Sequence, residues 1–258
     1  MNLFNTTREK YKIGIVVGIL MLTFSACKKD FLDRTPLGRY TSDNYPYTPG
    51  AGPYDQYVFG AYSVLREYGI HGAPFLAATS FRSDDADKGS TAADGGADAQ
   101  TMDFFPVSPS NGMANNLWTS YYNLISKCNI SLDQVYNNTD IVATDAIKKQ
   151  AEGEARFIRG YAYFMLVRLF GRVPLVDSVY TDVTAQSNIP QSSPATIYAL
   201  IEEDLQFAAA NLPATWDPKF IGRATSGAAN GILAKVYLTQ QKWAQAMTAA
   251  GLVINSGL

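Results

Sequence analysis

The chain has 258 residues, enough for one large domain or two small ones. Its formal net charge is −2 and no stretch gathers lysine and arginine into a basic stripe, which excludes a nucleic-acid interface held by phosphate charge. Two cysteines and one histidine are too few, and wrongly spaced, for a structural zinc site. Tyrosine and phenylalanine are plentiful, at 16 and 13; such rings can stack on sugars, but burial in a core accounts for most counts of this size.

The N-terminus reads as an address. Arg8, Lys10 and Lys12 precede an apolar run from Ile13 to Phe24. That run is shorter than the roughly 20 residues a membrane-spanning helix needs, and it fits a secretory signal. Ser25 and Ala26 then stand directly before Cys27, which resembles a bacterial lipobox with Phe24 in place of the usual leucine. Cys27 is the expected lipidation site and the first mature residue. Cys128 is then left unpaired and is expected to be a small core residue.

From Pro36 to Pro53 the chain is rich in proline, glycine and tyrosine and shows no helical period, so it is expected to be irregular. A helix is predicted from Tyr54, with Tyr57, Val58, Ala61, Tyr62 and Leu65 on one face, ending before Gly69. His71, between Gly69 and Gly72, is predicted to be a turn residue. Phe81 to Pro109 is a long, acidic stretch of small residues, expected to be a loop and the section to search for function. Asp84, Asp85 and Asp87 offer oxygen to a hard cation such as calcium. The EF-hand spacing fails, because position 12 from Asp84 is Gly95 and from Asp85 is Gly96, where a glutamate is required. A solvated acidic loop is therefore favoured over calcium, and no cofactor is expected. Asn115 to Tyr136 carries a continuous apolar stripe through Leu117, Tyr121, Leu124, Ile125, Cys128, Leu132 and Val135. Trp118 could serve as a sugar platform, but its helical spacing beside that stripe favours the core.

The chain is organised around Glu152 to Val176. Phe157, Ile158, Tyr161 to Val167, Leu169 and Phe170 leave almost no polar face, as in a buried helix. Glu152 and Arg156 are spaced to pair, and Arg156 and Arg159 share a face. Asp145 is the expected N-cap, Gly171 the expected residue just past the C-terminus, and Pro174 blocks a restart. The pattern E-x-R-F-x-R-x-Y-x-Y-F-x-L-V-R-L-F-G-x-V-P-L-V, from Glu154 to Val176, resembles the signature helix of the RagB/SusD-like outer-membrane lipoproteins. The C-K-K-D-F-L-D segment from Cys27 to Asp33, and Trp118, Tyr122, Ile125 and Asn129, are similar to that family as well.

Asp177 to Ser192 is expected to be an inserted loop. Ser193 and Pro194 restart a helix as N-cap and N1, with Ile197, Ile201, Leu205, Ala208 and Leu212 buried, and Pro213 ends it. After a turn at Gly222 to Thr225, a last pair of helices places Leu233, Ala234, Tyr237, Ala246, Ala250 and Val253 at tetratricopeptide spacing. The expected fold is thus all-α, with tetratricopeptide-like helical pairs and long irregular loops. The expected division is a signal peptide over 1–26, an anchor and irregular linker over 27–53, and a SusD-like helical domain over 54–258. The resemblance implies that this is the N-terminal portion of a family member.

The resemblance further implies a lipid-anchored protein of the outer membrane, facing the cell surface. Such a protein binds a glycan or other nutrient and passes it to a SusC-like TonB-dependent transporter. In that family a loop near Phe81 to Pro109 contributes to the ligand surface, which makes Asp84, Asp85, Lys88, Phe104 and Phe105 the candidate ligand-binding residues. No G-x-S-x-G is present and no pair of carboxylates is singled out for glycoside hydrolysis, so no catalytic residue is assigned. A helical scaffold that docks other proteins, and a glycan-cleaving enzyme, remain as alternatives.

Overall fold

In a computed structural model of the chain, residues 52–257 are described, apart from 84, 90, 92, 93 and 95. The signal peptide, Cys27 and the Pro36 to Pro53 segment up to residue 51 lie outside the described residues. Helix α1 runs over Asp55–Val64 and is followed by two single turns, α2 at Tyr68–His71 and α3 at Ala73–Leu76. A π-helical turn over Ala77–Phe81 continues α3. Helix α4 spans Gly96–Asp103, α5 Gly112–Asn137 and α6 Asp145–Phe170. A short helix α7 at Val183–Ser187 precedes α8 at Pro194–Asn211, and α9 at Ser226–Thr239 and α10 at Trp243–Ile254 close the chain.

The local signals account for most of these boundaries. Ser193 accepts from the Thr196 amide at 3.1 Å and Pro194 occupies the first turn of α8, as expected. Gly171 ends α6 with φ of +75°, a conformation glycine adopts without the clash a Cβ would bring. The start of α6 differs from expectation. Thr144, not Asp145, is the N-cap, and its hydroxyl accepts from the Ile147 amide at 3.4 Å. Thr144 has extended backbone angles and Asp145 is already helical, so only the threonine oxygen can turn back onto the first-turn donors. Asp145 remains in that turn, where its charge suits the helix dipole.

Three further expectations are corrected. The Phe81 to Pro109 stretch is not a continuous loop, because α4 occupies its second half and buries Ala99 and Met102. Its small residues pack with so few apolar side chains that they leave little periodic signal. The Asp177 to Ser192 segment contains α7 and ends in Gln191–Ser192, which pairs antiparallel with Val173–Pro174. His71 closes α2 rather than a free turn, with its ring edge-on to Phe75 at 5.4 Å.

Helix α6 is the centre of the packing, held between α5 and α8, while α9 packs on α8 and α10 on α9. Ile158, Tyr163, Phe164 and Leu166 of α6 meet Leu117, Tyr121, Leu124, Ile125 and Cys128 of α5. On the other side they join Ile197, Ile201 and Leu205 of α8 and Leu233, Val236 and Tyr237 of α9. Gly160 lets α6 approach α8 closely: a Cβ there would lie 3.1 Å from Leu205 Cγ and 3.4 Å from Asp204 Cβ. Trp118 packs partly buried against this core, with its ring 5.2 Å from Phe170 and 5.0 Å from Tyr122. Cys128 is free and buried, and burial pushes its thiol well above the usual range.

The apolar-looking central helix also carries buried charge. Arg159 forks onto Asp204 of α8, with Nε to Oδ2 at 2.8 Å and Nη2 to Oδ1 at 2.9 Å. Its Nη1 donates to Asn129 Oδ1 at 2.9 Å and to the Asp177 carbonyl at 3.1 Å. Arg156 pairs with Glu152 at 2.9 Å, as its spacing predicts, and also reaches Glu203 at 3.0 Å. Glu154 takes Arg223 from the turn before α9, with Nε to Oε1 at 2.8 Å, and accepts from Tyr62 of α1 at 2.9 Å. Among the described residues Arg223 Nη1 has no hydrogen-bond acceptor, but its guanidinium lies 4.3 Å from the Trp216 ring centre and 5.1 Å from that of Phe59. Stacking on those faces offsets part of the missing bond. These two clusters tie α1, α5, α8 and the α8–α9 connection to one helix.

Candidate functional site

The π turn delivers the chain to Arg82, and α4 delivers it back to Phe104 and Phe105. Arg82 lies with its guanidinium carbon 4.8 Å from the centre of the Phe105 ring. Its Nη1 also donates to the carbonyls of Met102, at 3.4 Å, and Phe105, at 3.3 Å. The guanidinium therefore holds the C-terminal end of α4 as well as one face of the ring. Phe105 has φ of +73°, a left-handed conformation that a bulky residue rarely adopts. The next residues form a tight turn around Pro106, in which the Val107 amide donates to the Phe105 carbonyl at 2.7 Å. The outcome is a pair of adjacent phenylalanines displayed outward, Phe104 63% and Phe105 57% exposed.

The other side of the turn is fastened to α5. Asn111 is buried and caps α5 by accepting from the Ala114 amide at 3.0 Å. Its Nδ2 donates back to the Asp98 carbonyl at 3.0 Å and to Thr101 Oγ1 at 2.9 Å. Asp98 Oδ2 accepts from the Gly112 amide at 3.0 Å. Helix α4 is thus locked to the start of α5, and the exposed rings stand on a fixed base. Rigid aromatic faces of this kind bind apolar C–H surfaces at low entropic cost.

The sequence-derived candidates separate in space. Phe104 and Phe105 are the exposed rings, and Phe81 is the last residue of the π turn, half-buried beside Arg82. Asp85 and Asp87 are exposed, and the Asp85 amide donates to Ser83 Oγ at 3.3 Å. Lys88 donates to the Thr91 carbonyl at 2.7 Å, so its ammonium is engaged within its own loop. Asp84 lies outside the described residues, as does Cys27. Among the described residues no group of three acidic, histidine or cysteine side chains is placed to hold a metal. Sequence reasoning missed Arg82, Asp98 and Asn111. Arg82 and Phe105 are separated by 23 positions, and no local pattern announces a stack across that distance.

The carboxyls most confined by the fold face away from solvent. Burial pushes the Asp204 carboxyl up, against the pull of Arg159, and does the same to Glu154 against Arg223. Both are bonded to arginine inside the core. Burial holds His71 below the ordinary imidazole range.

A family model described as SusD-like, "starch-binding associating with outer membrane", matches residues 71–238. A SusD-like protein of Formosa agariphila is 28% identical over 249 residues, covering 96% of this chain and 46% of that protein. A SusD-like protein of Bacteroides ovatus is 30% identical over 238 residues, covering 89% of this chain and 39% of its own length. Among solved structures, a laminarin-binding SusD-like protein superposes with a TM-score of 0.69 at 27% identity, over 81% of this chain and 44% of that one. The chain therefore spans under half the length of these relatives. With the signature pattern on its central helix, the helical fold around it and the family match over residues 71–238, the chain belongs to the SusD-like family.

Proposed function

We propose that this chain is the glycan-capturing part of a lipid-anchored protein of the outer membrane, and that it binds sugar without cleaving it. The observation that carries the reading is the exposed Phe104–Phe105 pair, fixed by Arg82 and by the Asp98–Asn111 knot. A pyranose C–H face packs on such rings by burial and dispersion. Asp84, Asp85 and Lys88 are proposed to bond sugar hydroxyls from the adjoining loop. The commitment of Glu154 and Asp204 to core arginines favours binding over hydrolysis. One relative is named as laminarin-binding, and a solved structure at 24% identity with the same fold is described with a xylogluco-oligosaccharide. Oligosaccharides of those two classes are therefore the first probes. Delivery to a SusC-like TonB-dependent transporter is proposed from family membership.

Calorimetric titration of the full chain tests the ligand surface. The Phe104→Ala, Phe105→Gly double variant is expected to weaken glycan binding about tenfold or more, the scale of one lost aromatic platform. Its melting temperature is expected to stay level or rise, because both rings are exposed and glycine relieves the left-handed backbone at 105. Replacing Asp84, Asp85 and Lys88 together by alanine is expected to weaken the same binding. Unchanged affinity in both variants would remove this surface from the site. The anchor has its own test. Expressed in a bacterium that processes lipoproteins, the natural chain is expected to carry an acyl mass and enter the detergent phase, and Cys27→Ala to do neither. Equal masses and equal partitioning would end the lipoprotein reading.

A further inference from the structure

A cleft of about 270 Å³ lies between the α3–π turn and the C-terminal half of α6. Its walls are Phe75, Ala78 and Thr79 on one side and Met165, Arg168 and Leu169 on the other. The size is just under the roughly 300 Å³ at which small-molecule pockets begin, the scale of one sugar ring rather than an oligomer. We propose that this cleft binds a uronic acid residue, with Arg168 taking the carboxylate.

Three features of the cleft match three features of that ligand. The first is charge. Arg168 is exposed and is the single charged group in the lining. No described carboxylate lies within ion-pair distance of it, unlike Arg156, Arg159 and Arg223, which are all paired. The hydroxyls of Tyr121, Tyr161 and Tyr198 interact electrostatically with it, and burial raises all three above the usual phenol range, so they bring it no counter-charge near neutral pH. Its guanidinium rests 4.9 Å from the Phe164 ring centre, a stacking contact that uses a face of the fork and none of its N–H donors. A planar fork suits a carboxylate through two parallel bonds.

The second feature is the wall. Phe75, Met165 and Leu169 form an apolar surface for the C–H face of a pyranose. The third is the hydroxyl of Thr79, which donates to the Phe75 carbonyl at 2.8 Å. Its proton is used, so its oxygen is left to accept from a sugar hydroxyl. The backbone at this wall is irregular too. Thr79 sits in the π-helical turn, a rare form found mostly as single turns and frequently at functional sites. That turn runs directly into Arg82, so cleft and exposed rings are joined by one short segment. The inference rests on the glycan reading for its sugar, and it narrows that reading to acidic glycans.

The test uses the full chain and three small probes: methyl glucuronide, methyl glucoside and glucose 6-sulfate. Binding is followed by ligand-observed NMR and by calorimetry. Methyl glucuronide is expected to bind at least about tenfold more tightly than methyl glucoside, and to weaken with added salt. Arg168→Gln is expected to abolish that preference, and Thr79→Val to weaken the glucuronide with the preference retained. Circular-dichroism melting checks that each variant is folded, and Arg168→Lys, which keeps the charge but not the fork, is expected to fall between the natural chain and Arg168→Gln. Equal binding of glucuronide and glucoside, or a preference that survives Arg168→Gln, would overturn the inference. So would tighter binding of the sulfate than of the glucuronide, which would make the cleft a reader of charge alone. A chain that binds neutral oligosaccharides at the Phe104–Phe105 surface but no glucuronide refutes only this cleft. Arg168-dependent glucuronide binding, with oligosaccharide affinity unchanged in both the Phe104 and Phe105 double variant and the Asp84, Asp85 and Lys88 triple variant, would instead support the cleft and refute that surface.

Discussion

Asp204→Ala is expected to destabilise the domain by about 3–5 kcal/mol, the cost of breaking a buried ion pair by removing one partner. Asp204 is 0% exposed and accepts both arms of the Arg159 fork. Alanine would leave that guanidinium inside the protein without its counter-charge. The effect extends beyond α6 and α8. Arg159 also holds the Asp177 carbonyl and the Asn129 side chain, and Asn129 in turn holds the carbonyls of Val176, at 2.9 Å, and Ser178, at 3.2 Å. A displaced Arg159 therefore loosens residues 176–178 as well, and faster amide exchange there is expected beside the lower urea midpoint. Replacing both partners, Arg159→Met with Asp204→Leu, is expected to cost less than Asp204→Ala alone. Two apolar side chains carry no uncompensated charge, and Gly160 gives the site its close spacing either way. A single variant within about 1 kcal/mol of the natural chain would show the pair to be dispensable.

Phe164→Ala is expected to cost a similar amount, about 3–5 kcal/mol, for a different reason. Phe164 is 1% exposed and lies in the cluster shared by α5, α6, α8 and α9. Truncating it removes a large apolar group and leaves a cavity that the close-packed helices can only partly close. The same ring lies under Arg168, so the variant should also free that guanidinium and weaken its orientation at the cleft. Thermal and urea unfolding measure the first effect. An unchanged melting temperature would contradict the buried placement. The contrast with Phe104 is direct: the same side chain, 63% exposed, is expected to change binding and not stability.

The local order of the chain was legible in its residues alone. The period of α5, α6 and α8 lies within each helix, because side chains three and four apart share a face whatever surrounds them. Ser193, Pro194, Gly171 and Pro174 act on neighbouring residues, so their roles were legible too. The family pattern on α6 is contiguous and could be read in the same way. Even locally there was a limit at Thr144 and Asp145, two adjacent residues able to cap, between which backbone angles chose. The pairing of distant residues was not legible. Arg159 and Asp204 are 45 positions apart, Glu154 and Arg223 are 69, and Arg82 and the Phe105 carbonyl are 23. A charge in a helical pattern reads the same whether it meets water or a buried partner, and only the packing of α6 against α8 and the α8–α9 turn tells them apart. The exposed Phe104–Phe105 surface and the Arg168 cleft were decided in the same way, since each is assembled by separate segments that only the tertiary fold brings within reach.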